Sequence, residues 1–172
     1  MSRSETEVKV LVVGFGSPIR GDDAVGWLAG ERLEHELDAR TARVVVCHQL
    51  LPELAEQISE AELVIFIDAC CNRPAGQWGF EAVEPASAAR RGIGHDCDAG
   101  ELLAMARRLF HRCPPAVMLS VGVRSFDFGC ELSPPVRRAL QQVVACVRGE
   151  VDRYLAGDAG PSHLSACGVR RA

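Results

Sequence analysis

Lysine is almost absent: Lys9 is the only one among 19 basic residues, and the arginines that make up the rest are scattered among 23 acidic residues for a net charge of −4. That balance gives no basic stripe for a nucleic-acid backbone. A phosphate-cradling P-loop is excluded as well, because no G-K-[ST] occurs and Lys9 stands ahead of the first apolar run. No apolar run approaches the roughly 18 residues that a membrane span needs. The opening MSRSETEVKV is charged where a signal peptide would be apolar, so the expectation is a cytoplasmic protein. Eight cysteines are present, yet none forms a C-x-x-C pair, which removes the spacing of a closed zinc cage. Their mostly apolar neighbourhoods lead us to expect reduced thiols packed as small hydrophobes. Repeats and low-complexity stretches are lacking too.

What remains is an ordinary globular composition, 48% apolar and 24% charged over 172 residues. A chain of this length buries about 70% of its unfolded surface, so a single domain can fold without disulfides or a structural metal. Val8 to Val13 (VKVLVV), Arg43 to Cys47 (RVVVC), Leu63 to Ile67 (LVIFI) and Ala116 to Val121 read as strands apolar on both faces, and Gln77 to Val83 as a further strand. Helical spacing follows Asp23 (Val25, Leu28, Ala29, Leu33). A short helix opens at Pro52, and another starts at Asp98 with Glu101 as its capping-box partner. A last long helix opens at Ser133 and Pro134, with a stripe from Val136 to Leu155. Alternating strands and helices predict an α/β three-layer sandwich, a twisted, mainly parallel sheet flanked by helices. The expected domain spans 1–156, with 157–172 an unstructured tail of small residues.

In such sheets the ligand site lies outside the carboxyl ends of the strands. The first of these loops reads GFGSPIRGDDAVG; two glycines suit a dinucleotide turn, but Ile19 replaces the third. Asp22 and Asp23 stand at the helix mouth where an anion would otherwise bind, so the mouth favours cations. Asp68 closes LVIFI, and His95 lies three residues before the Asp98 cap. Two carboxylates and an imidazole make a plausible set of divalent-metal ligands. Each also has a structural reading: Asp23 as a first-turn acid, Asp68 as acceptor of its own turn's N–H groups, His95 as a solvated or packed ring. His48, Cys70, Cys71 and Cys97 also fall near strand ends or beside His95, with packing the simpler reading. His35, His111 and His163 carry no site argument.

The glycine loop with its acidic pair, the Asp in IFIDA, the His in GHDCDAGELLAMARRL and the late segment SFDFGCELSPPVRRAL, in that order, resemble the hydrogenase maturation proteases. The likeness covers about Val10 to Arg148 and lies in the ordered combination. It implies a five-stranded sheet and an endopeptidase that removes the C-terminal extension of a nickel–iron hydrogenase large subunit after nickel insertion. It also implies a metal-binding triad on Asp23, Asp68 and His95, with the nickel carried by the precursor and absent from the resting protein, a monomer when free. Ser17 stands where Asn usually follows the second glycine, and CHQLLPE replaces a glycine-threonine turn, which leaves the hydrogenase class open. Two rivals are a non-catalytic nickel-sensing or hydrogenase-assembly binding module using the same ligands, and a small nucleotide-binding protein resting on the glycine loop alone.

Overall fold

β1, Val10–Phe15, is a fully internal strand of the structure, a computed structural model that describes residues 8–87, 97–124, 128–129, 131–158 and 170–171. The strand begins two residues later than the sequence suggests and runs on to Phe15, because its ladder with β2 (Ala42–Cys47) continues to Phe15 opposite Cys47. After β1 come a single 3-10 turn, Gly21–Ala24, and helix α1, Val25–Glu36. α2 is Leu54–Glu60; Pro52 lies in the turn before it, its carbonyl accepting from the Ala55 N–H. β3, Leu63–Cys70, extends beyond the apolar run because β5, Ala116–Gly122, pairs with it as far as Cys70 opposite Gly122.

β4, Gln77–Ala82, is antiparallel to β5, and α3, Ala99–Phe110, begins with the expected capping box. There the Asp98 carboxylate accepts from the Glu101 N–H at 2.8 Å, and the Glu101 carboxylate accepts from the Asp98 N–H at 3.1 Å. α4, Pro134–Ala156, is the long last helix. Within the predicted tail, Arg170–Arg171 form a two-residue strand, β6, antiparallel to the start of β4.

The sheet order is β2-β1-β3-β5-β4, a five-stranded, mostly parallel sheet that β6 extends by one short edge. Alternation along the buried strands divides the core into two. Val10, Val12, Leu63, Ile65 and Ile67 face α1 and α4. Leu11, Val13, Val64 and Phe66 face α2 and α3. This is the expected three-layer sandwich. After β1 the chain moves outward to β2 and returns to β3 on the other side of β1, so the order reverses between β1 and β3. Their carboxyl ends therefore form the switch point at which open α/β sheets bind ligands. Among the described residues no helix is long and apolar enough to cross a membrane.

Candidate functional site

One carboxylate lies on β3 and another in the 3-10 turn that follows β1. Asp68 lies inside β3 rather than after it, opposite Ser120 of β5, and its Oδ1 accepts from the Ala69 N–H at 2.7 Å. Burial pushes its carboxyl up to about 7; the Ala69 N–H opposes the shift and the negative charge of Asp23 adds to it. Asp23 is thus near enough for its charge to act on the Asp68 carboxyl.

Backbone geometry explains how Asp23 comes to lie there. Gly26, one turn further on, rests directly on the strand ends: a Cβ at that position would stand 2.3 Å from the Phe15 carbonyl oxygen and 2.4 Å from that of Ile67. The same contact seats the start of α1, and with it the preceding turn that carries Asp23, at the carboxyl ends of β1 and β3. Upstream, Gly16 has φ +143, and a Cβ there would lie 2.1 Å from the Asp23 carbonyl oxygen. Only glycine turns the chain this tightly around the acid. The Ser17 N–H, next in sequence, donates to Asp23 Oδ2 at 3.0 Å.

Asp22 and Asp23, adjacent in sequence, have separate tasks. Asp22 is 7% exposed, and both its oxygens are engaged by Ser133 at the start of α4. The Ser133 N–H donates to Oδ1 at 2.6 Å and its hydroxyl to Oδ2 at 2.8 Å. The sequence reading used Ser133 only to start a helix and missed this pairing. Around it the backbone is cross-tied, with Gly21 N–H to Gly129 O at 2.6 Å and Gly129 N–H to Ile19 O at 3.1 Å. Ile19 and Phe128 flank this bridge, 59% and 79% exposed, and the Arg20 guanidinium lies 5.4 Å from the centre of the Phe128 ring.

His95 lies outside the described residues. Among those described, no group of three or more His, Cys, Asp or Glu side chains could hold a metal ion. His48, at the end of β2, stacks on Trp27 of α1 with ring centres 4.6 Å apart, a packing role for the ring. Burial raises the thiols of Cys47 and Cys70, and that of Cys97 to about 11, with Glu101 and Asp98 adding to the last. Thiols held protonated are poor nucleophiles, which speaks against cysteine catalysis at these positions. Two carboxylates remain, one of them holding a proton near neutrality. Such a pair can bind a cation by releasing that proton, or pass the proton to and from a substrate.

No protein-family model matches the sequence, and neither does any curated protein. The fold does match solved structures. A [NiFe] hydrogenase maturation protease HycI from Thermococcus kodakarensis superposes with a TM-score of 0.68 at 19% identity, covering 84% of this chain and 92% of that one. The hydrogenase maturating endopeptidase HybD from E. coli gives 0.63 at 21% identity, over 83% and 94% of the two chains. A hydrogenase 2 maturation peptidase from a Thaumarchaeota archaeon gives 0.59 at 23%, over 88% and 99%. The chain therefore has the fold of the hydrogenase maturation proteases over most of its length.

Proposed function

We propose that this protein is a maturation endopeptidase that removes the C-terminal extension of a nickel–iron hydrogenase large subunit in the cytoplasm once nickel is in place. The observation that carries the reading is the fold shared with proteases of that kind, in which Asp23 lies in the turn that follows β1 and Asp68 near the end of β3, the two strands that border the switch point. His95 completes the proposed triad. Its support is a short tether: Ala99, four residues on, is buried in the core cluster that holds Phe66, and Asp68 alternates onto the same face of β3. Four residues reach about 14 Å when extended.

Nickel belongs to the precursor here and is part of the substrate; bound at the switch point, it would polarise the scissile carbonyl or acidify a water. The protein's residues do the rest. Asp23, fixed by the Ser17 N–H, presents its carboxylate toward the incoming cation. Asp68 gives up its proton as the cation arrives and then serves as ligand or as base for the attacking water. A proteolytic site that needs the cation to complete it acts only on precursors already loaded, so metal recognition becomes proofreading.

The test is incubation of the protein with nickel-loaded large-subunit precursor, followed by intact-mass measurement. Loss of a C-terminal peptide from the precursor is the expected result. Binding without any loss of mass would instead establish a non-catalytic assembly module. Asp68→Asn keeps the side-chain shape but not the charge, and should leave the fold intact while lowering processing by about 100-fold or more. Near-wild-type cleavage by a folded Asp68→Asn protein would remove Asp68 from the mechanism.

A further inference from the structure

We infer that Asp22, through Ser133, is the positioning residue of this site: the clamp between the acid turn and the start of α4 fixes where the Asp23 carboxylate stands. The inference deepens the endopeptidase reading and rests on it for its kinetic consequence. Asp22 does not face the switch point as a ligand, because both its oxygens are taken by the Ser133 N–H and hydroxyl, at 2.6 and 2.8 Å, and its side chain is buried. The partners are 111 residues apart, so the bonds join two elements that are otherwise independent in sequence. The joint is stiffened by the two backbone bonds between Gly129 and residues 19 and 21.

Asp23 directly follows the clamped residue. On its other side it is held by the Ser17 N–H, at the end of a glycine turn too tight for any side chain at position 16. The carboxylate thus has two supports: Ser17 from the loop that follows β1 and, through Asp22, the start of α4. Without the second, the 3-10 turn keeps its short-range bonds, such as Asp23 N–H to Arg20 O, and its backbone tie to Gly129, but loses the side-chain bonds that fasten it to the start of α4. A catalytic group displaced by about 1 Å can lose on the order of 100-fold in rate.

Amide hydrogen exchange and kinetics on the full-length protein test this, using Asp22→Ala, Asp22→Asn and Ser133→Ala. The Ser17 amide reports on the Asp23 carboxylate directly. In Asp22→Ala it should exchange at least about tenfold faster while amides within β1 and β3 keep their wild-type rates. With nickel-loaded precursor, kcat should fall by about 10- to 100-fold with KM changed less than about threefold. Asp22→Asn should recover most of both, since its carbonyl still accepts from the Ser133 N–H and its amide can donate to the Ser133 hydroxyl.

Ser133→Ala deletes only the hydroxyl and should shift both readouts in the same direction by a smaller factor; it carries the test if Asp22→Ala does not fold. Wild-type Ser17 exchange in Asp22→Ala or Ser133→Ala overturns the proposal. So does an Asn variant as impaired as the Ala variant, because charge rather than geometry would then matter. If the wild-type protein cleaves no precursor, the endopeptidase reading fails, and Ser17 exchange still decides the clamp.

Discussion

A single proton on Asp68 links stability to function. Its carboxyl sits at about 7 in the folded chain, against 3.8 for the ordinary group, first because of burial. Below the ordinary value both folded and unfolded chains hold the proton. Between the two values only the folded chain does, so its contribution to stability is fully present in acid and is lost as pH rises through 7. Asp68→Asn should therefore be more stable than wild type at pH 8, by on the order of a few kcal/mol, with the difference vanishing near pH 4. Urea unfolding at a series of pH values measures this, and a constant difference would show that Asp68 is not the buried titrating group. Such a penalty, kept at a switch point, is what a cation-binding carboxylate would carry before its ligand arrives. The place of Asp68 near the end of a buried strand was legible in the sequence, because a carboxylate that closes an apolar run has few other places to be. The role of Asp22 was not: a doublet of acids shows no division of labour until a serine 111 residues away is seen to occupy one of them.

Elements were legible where local rules decide and less so where partners do. Continuous β-branched runs identified β1, β2, β3 and β5, and the Asp98–Glu101 spacing identified the start of α3, because burial on both faces and end-capping are written within a few residues. Strand ends moved because ladder partners set them: β3 passes Asp68 to match the length of β5, and the pairing of β6 with β4 has no local signature. Removing the cap with Asp98→Ala should destabilise the protein by about 1 kcal/mol, read from the urea midpoint at unchanged slope. Gly26→Ala is a harsher test, since its methyl would meet two carbonyl oxygens at 2.3 and 2.4 Å. α1 must then lift from the strand ends. We expect about 3 kcal/mol of destabilisation and weaker precursor processing together, because the same contact holds the fold and delivers Asp23. A Gly26→Ala protein of wild-type stability would mean that α1 does not rest on β1 and β3 as described.

At the scale of the whole molecule, the fold is supported by apolar burial on both faces of the sheet. Two apolar clusters, one on each face of the sheet, involve every strand of the five-stranded sheet and all four helices. A domain of this size buries enough surface to be stable unaided. The switch-point carboxylates contribute nothing to that core, and burial sets the proton of Asp68 in competition with a cation, so occupancy of the resting protein should be weak. Chelator treatment followed by desalting should then leave Tm within about 2 °C, since less than ~1 kcal/mol of folding energy is at stake in a domain this long. The same stripped protein, added to precursor with and without nickel, should cleave only the loaded form. If the precursor's own ligands hold the metal, the missing coordination positions are the docking site, and affinity and placement of the scissile bond come from one contact. Equal cleavage of both precursors would point to a self-contained enzyme. Collapse of the fold on chelation would reveal a structural metal that the two apolar clusters leave no need for.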